Sequence, residues 1–440
     1  MLGFSHKPER RTAFSRVTAL AELRPLHEAF RWLHLNDQQM LRWQAELVAI
    51  PAPPFGEKAR SLWISEEFRK AGLQPLSTDE IGNVIGVVPG PQSANPSSPV
   101  VLVSAHLDTV FPAGTPLNPV IKDERIEAPG VCDNAAGVIG MLALAHALVQ
   151  SRMTLPATLI FVGNVGEEGE GDLRGIRHLY QSAAFANRIA AHIVLDGAGS
   201  ETAVTQALGS KRFQITIRGP GGHSFTDAGV ANPIAALATT LARLAETPLP
   251  DDPRTTMNFG TIRGGTSVNS IPESATAAVD FRSTDLRQLV RLEVALHRAA
   301  EDAVDAANER ASLRAALRDP QRERSRFPRG QLNFQIDKIG DRPAAELPGD
   351  SPLLEALRAV DRHLGLRTDL RLGSTDANIP LSLGIPAASL GAGGEGGGAH
   401  TQGEWYSAIN RELGLRRVLL LILAMLDWAG TRQEAAEDGF

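Results

Sequence analysis

Four short apolar runs, bounded by Gly and Pro, set the tightest limit on how this chain can fold. They are Val84-Ile85-Gly86-Val87-Val88, Val100-Val101-Leu102-Val103, residues 158–163 and residues 192–195. β-branched runs without polar alternation suit strands buried on both faces. Residues 134–150 are almost wholly apolar and predict a buried helix between the second and third runs. Strands alternating with helices predict an α/β fold, a mixed, mostly parallel sheet flanked by helices. Ahead of the runs, residues 17–73 place Leu41, Trp43 and Leu47, then Leu62, Ile64 and Phe68, at helical spacing around a Pro-rich break at 51–54.

Near residue 210 the pattern changes. Residues 213–217, 255–262, 275–281 and 332–336 read as strands, and 233–245 and 285–310 as helices. The order β-α-β-β-α-β is ferredoxin-like. The chain therefore divides into 1–208, the first part of a larger domain, 209–342, an inserted α+β domain, and 343–440, the second part. The stretch holding Arg314, Arg318, Arg322, Arg324, Arg326 and Arg329 reads as a solvated loop on the insert.

Composition excludes several classes. The formal net charge is -6 over 440 residues, so no basic field recruits nucleic acid. Cys132 is the one cysteine, which rules out an internal disulfide and suits a reducing compartment. Lys7, Arg10, Arg11 and Arg16 are not followed by the apolar segment of a secretory signal, so a cytoplasmic location is expected. The most apolar run, residues 418–426, falls short of the ~20 residues that span a bilayer and predicts a buried C-terminal helix rather than a membrane partner.

The chemistry gathers where the strands end. His106 and Asp108 follow the second run, Glu167 and Glu168 the third, and Asp196 the fourth. Asp133 directly precedes the predicted helix, and His400 follows a glycine-rich loop after residues 387–390. In an open α/β sheet, ligands sit outside the carboxyl ends of the strands. Each residue has a plainer use. Asp133 with Asn134 could cap a helix, Glu167 and Glu168 could be a solvated pair, and His106 could be a core histidine. Five segments delivering ligand-type side chains to one sheet edge outweigh those uses. His, Asp and Glu without cysteine suit zinc in a hydrolytic site. Gly391 to Gly396 formally match G-x-G-x-x-G, but Ala399-His400-Thr401 follow and no helix opens on cue, so a nucleotide site is not expected. The glycines are expected to let backbone approach a bound ligand and to bring His400 round.

These segments resemble a known family. His106-Leu107-Asp108, Gly130-Val131-Cys132-Asp133-Asn134, Gly166-Glu167-Glu168-Gly169, Leu195-Asp196-Gly197 and Gly398-Ala399-His400-Thr401 are similar, in order, to the motifs of the cocatalytic zinc metallopeptidases. That family includes aminoacylase, acetylornithine deacetylase, carboxypeptidase G and peptidase T. Gly373-Ser374-Thr375-Asp376-Ala377 resembles a further family loop, and the insert falls where the family has its lid. The resemblance covers roughly residues 40–430 and implies the following roles. Asp133 bridges two divalent metal ions, most simply Zn, with Co or Mn as alternatives. His106 and Asp196 complete one ion, and Glu168 and His400 the other. Asp108 accepts the second ring N–H of His106. Glu167 is the general base for the water between the ions, with Glu170 the lesser alternative. The Asp133–Asn134 peptide bond is cis.

On the insert, Gly219-Pro220-Gly221-Gly222-His223-Ser224 resembles the family's lid histidine segment. That histidine reaches the partner's active site in dimeric members, which implies an oxyanion donor in His223 and a homodimer through the lid. Asn269 in Asn269-Ser270-Ile271-Pro272 and Arg282 in Asp280-Phe281-Arg282 are implied to bind substrate, the arginine through a carboxylate. The expected function is metal-dependent cleavage of an amide bond in a small peptide or N-acyl amino acid. Exopeptidase action competes with N-acyl-amino-acid deacylation and carbamoyl removal. A non-catalytic peptide-binding relative is disfavoured, because such a protein has little need for Glu167.

Overall fold

The computed structural model describes residues 12–318 and 331–437. Among them the chain forms two compact units, one running to Ala207 and resuming at Ala345, the other Leu208–Ala344. The first unit opens with helices α1 (Ala13–Ala21), α2 (Arg24–Leu35), α3 (Asp37–Val48) and α4 (Lys58–Ala71). Pro25 starts α2, and Gly72, at φ +90°, ends α4. Then come β1 (Leu76–Thr78), β2 (Val84–Val88), β3 (Val100–His106), β4 (Val120–Lys122), β5 (Arg125–Glu127), α5 (Ala135–Gln150), β6 (Thr158–Asn164), α6 (Arg174–Ser182), β7 (Ile189–Leu195) and β8 (Thr202–Ala207).

The second unit holds β9 (Gly209–Arg218), β10 (Gly222–His223), α7 (Pro233–Ala245), β11 (Thr255–Gly264), β12 (Ser270–Ile271), β13 (Ser274–Ser283), α8 (Leu286–Arg318) and β14 (Asn333–Arg342). Its main sheet is antiparallel, in the order β11-β13-β9-β14. Every second residue of β13 is buried, so one face packs against Leu237 of α7 and Leu289, Leu292 and Leu296 of α8. Helix α8 runs on past residue 310, where Ala, Leu and Arg carry high helix propensity. Arg314 and Arg318, expected in a loop, therefore belong to the helix. Arg322, Arg324, Arg326 and Arg329 lie outside the described residues.

The first unit resumes with β15 (Ala345–Glu346), α9 (Pro352–Leu364), β16 (Asp369–Gly373), α10 (Asn378–Ser382), β17 (Ala387–Leu390), β18 (Glu395–Gly397), β19 (Trp405–Ser407) and α11 (Arg411–Glu437). Its main sheet runs β1-β2-β6-β3-β7-β17-β8-β15, with β16 on β8. The central four strands, β6, β3, β7 and β17, are parallel, as expected. Toward the edges, β2 runs antiparallel to β6 and β8 to β17. Side chains alternate between two apolar layers. Val101, Val103, Leu159 and Phe161 face the core shared with α5 and α11, and Val100, Leu102, Ile160 and Val162 face the one shared with α6 and α10. Two covered faces are why the central strands read as unbroken apolar runs. Residues 418–426 lie inside α11, and Val418, Leu420, Ile422 and Met425 are buried. No helix among the described residues is long and apolar enough to cross a membrane.

Candidate metal centre

The parallel register sets the site. It pairs His106 with Asn164 and Leu195 with Leu390, so β3, β6, β7 and β17 finish level with one another. Glu167 and Glu168 follow β6, Asp196 follows β7, and His400 lies between β18 and β19. Asp133 enters from the start of α5. Ligand-type atoms gather within 4.8 Å of one another in three overlapping sets: His106 with Asp133 and Asp196, Asp133 with Glu168 and His400, and His106 with Glu167 and Glu168. Asp133 is common to the first two. The cluster is drawn wholly from the first unit.

The hydrogen bonds assign orientations. His106 Nδ1 lies 3.1 Å from the backbone carbonyl of Asp108, which can only accept, so Nδ1 donates. Nε2 then points at Asp133 Oδ1, 3.2 Å away, and Asp196 Oδ1, 3.8 Å away. Asp133 Oδ1 is buried and makes no hydrogen bond. A ring nitrogen and two carboxylate oxygens facing one another call for a cation between them. His400 Nε2 lies 2.9 Å from Asp133 Oδ2 and 3.1 Å from Glu168 Oε1, which repeats the arrangement on the other side. Those two carboxylates push the His400 imidazole up to about 10. Burial opposes charge on His106, yet Asp108, Asp133 and Asp196 hold it well above its ordinary value. This nest of acids selects positive charge, and its donor set fits two divalent ions sharing Asp133.

The Asp108 carboxylate differs from its expected use. It stands 3.6 Å from His106 Nδ1, while the Asp108 backbone carbonyl takes the ring N–H. The carboxylate instead accepts the backbone N–H groups of Glu167 (3.0 Å) and Glu168 (2.8 Å) and so aims both glutamates. Glu170 is exposed. The Asp133–Asn134 bond is cis, as the resemblance implied. The helix cap of α5 is Asn134, not Asp133. Its Oδ1 accepts from Gly137 and Gly197, and its Nδ2 donates to Leu195, which grips the residues on both sides of Asp196.

The glycine-rich loop also departs from expectation. A Cβ at Gly391, Gly393, Gly394 or Gly396 would meet Ala198 O, Arg411 O, Tyr406 Oη or Cys132 Sγ, each at 2.3 Å. The glycines admit the protein's own atoms rather than a ligand. They lead into His400, which holds a left-handed φ of +65°.

In the second unit, β10 and β12 form a two-stranded ribbon that sets His223 opposite Ser270, and Ser224 N donates to Asn269 O. His223 Nδ1 accepts from the backbone N–H groups of Phe225 and Thr226, so Nε2 carries the proton and is the donor. Arg282 donates its Nε to Asp280 at 2.7 Å, so part of its fork is already engaged.

Sequence reasoning missed the buried Arg60 and Glu404, and it noted the loop of Asp376 without giving that residue a role. Arg60 donates to Ile50 O and Leu107 O, behind the His106–Asp108 turn. Asp376 accepts from Asn164 and is pushed up to about 7, chiefly by burial. Glu404 accepts three backbone N–H groups of the Asp133 loop. Four residues beyond His400, an isolated Glu reads as solvated, and only its position after a ligand could have flagged it.

Residues 102–424 match the model of peptidase family M20/M25/M40. The chain is similar to a probable carboxypeptidase of Aspergillus flavus, 29% identical over 48% of this chain and 53% of the relative. It thus spans about half the length of that curated relative. Among solved structures it is similar to aminopeptidase PepT from Bacillus cereus, with a TM-score of 0.66 and 20% identity over 89% of this chain and 99% of the other. It is also similar to the YXEP protein of Bacillus subtilis, described as a dinuclear metal binding peptidase. There the TM-score is 0.61 and the identity 17%, over 90% of this chain and 99% of the other. At these identities the structural likenesses are ones of fold.

Proposed function

The chain belongs to peptidase family M20/M25/M40, and from that premise we propose that it hydrolyses an amide bond in a small peptide or N-acyl amino acid with two divalent ions bound. The observation that carries the reading is the pair of ligand sets sharing Asp133. His106 and Asp196 would hold one ion, Glu168 and His400 the other, and the nitrogen and oxygen donors favour zinc over cobalt or manganese. When bound, the ions supply Lewis acidity to the amide carbonyl and acidify water.

The chain's residues do the rest. Glu167, buried beside His106 and Glu168, takes the proton of the attacking water and returns it to the leaving amine. Asp108 aims that base through the Glu167 backbone N–H. His223, a donor at Nε2, stabilises the oxyanion, and Asn269 and the free edge of Arg282 receive the substrate. The curated relative described as a probable carboxypeptidase supports an exopeptidase over an N-deacylase. We further propose a homodimer joined at the unpaired edge of β11, and a cytoplasmic location in keeping with the single cysteine. Sedimentation at working concentration tests the dimer, and a monomer would leave His223 without the partner site implied for it.

The decisive test is a screen of dipeptides, tripeptides and N-acyl amino acids with zinc, cobalt and manganese, run beside Glu167→Gln. Loss of a general base lowers kcat by about 100-fold or more. Full activity in the variant would sink the base assignment. Fewer than one equivalent of metal after zinc reconstitution would sink the two-ion site.

A further inference from the structure

We propose that Glu404 is the positioning residue that makes the two-ion site, clasping the His400 loop to the Asp133 loop through four hydrogen bonds. The inference rests on the proposed metal site and names a residue outside its ligand set.

Glu404 is fully buried. Its Oε1 accepts the backbone N–H groups of Cys132 and Asp133, both at 2.7 Å, and its Oε2 accepts that of Gly130 at 2.8 Å. Its backbone carbonyl accepts from Ala128 at 3.1 Å. Three backbone N–H groups of one loop curled around one carboxylate form an anion cradle, and a charged acceptor strengthens each bond. The loop so held ends in Asp133, the residue common to the two main ligand sets.

On its other side, Glu404 is tied to His400 by a short turn. Thr401 N donates to Gly398 O and Glu404 N to Thr401 O. His400 and Asp133 reach the cluster from segments far apart in sequence, and His400 is the most exposed of the five ligands. A single carboxylate therefore fixes the spacing between the shared ligand and the outermost one. Glutamine cannot replace it. One amide oxygen can serve Cys132 and Asp133, but the amide nitrogen would then face the N–H of Gly130, donor against donor. Aspartate keeps the charge but is one methylene too short to reach both sides of the cradle.

The test measures zinc affinity by chelator competition on metal-free wild type, Glu404→Gln and Glu404→Asp, with hydrogen exchange of segment 128–134. Loss of an outer partner of a ligand costs about 10–100-fold in metal affinity. We expect that weakening in both variants, faster exchange at 128–134, and reduced kcat at limiting zinc that excess zinc restores while KM holds. A variant that binds zinc within about twofold of wild type, with exchange unchanged, overturns the inference and leaves the metal site standing. A wild type that takes up no zinc removes the metal site itself. If neither variant folds without metal, the carboxylate serves the whole fold and the inference fails.

Discussion

Asp133 and Asn134 show how finely adjacent residues divide labour. The amide of Asn134 caps α5 and grips both neighbours of Asp196, which releases the Asp133 carboxylate to face the two imidazoles. That packing leaves no room at Gly137, where a Cβ would stand 2.2 Å from Asn134 Oδ1 and 2.5 Å from Leu195 O. Gly137→Ala should therefore destabilise the protein by about 1–3 kcal/mol, read from urea unfolding, despite the better helix propensity of alanine. An unchanged unfolding midpoint would mean that the cap does not hold Asp196. At this scale the candidate ligands were legible, because only a few side-chain types bind metals. Their orientations were not. Which atom of Asp108 meets His106 depends on the loop after β6, about sixty residues on.

Among the elements, helices α2, α3 and α5 meet at His146, whose ring stacks between Trp32 and Trp43 with centroids 5.2 and 5.1 Å away. Its buried Nε2 makes no hydrogen bond, and burial lowers the imidazole to about 4 from 6.5. The unfolded chain thus binds the extra proton between those values, so stability is complete above about pH 6.5 and drains away as the pH falls toward 4. The melting temperature of wild type should drop more between pH 7.5 and 4.5 than that of His146→Phe, and equal drops would refute the role of His146. Between α9 and α11, Arg417 and Asp361 form a buried fork of 2.6 and 2.9 Å. Arg417→Met leaves the buried Asp361 without its counter-charge, holding only the Thr368 hydroxyl, and should cost about 3–5 kcal/mol by chemical denaturation.

For the whole molecule, the expected consequence is that metal stabilises only the unit that carries the cluster. Zinc at about 100 times its Kd adds roughly 2.7 kcal/mol to that unit. Scanning calorimetry should show a chelator lowering one transition and sparing the one that belongs to residues 208–344. Two transitions that shift together would show that the units unfold as one. The larger pattern follows from what kind of information local sequence carries. Alternating apolar strands and helices, the βαββαβ insert and five side chains of metal-ligand type are local properties, readable because period, propensity and ligand chemistry act over a few residues. The antiparallel flanks of the sheet, the use of the 391–396 glycines to admit Arg411, Tyr406 and Cys132, and the cradle of Glu404 are not local. Each joins segments whose meeting is set by strand order and close packing, and a sequence carries no mark of its distant neighbours until the chain has folded.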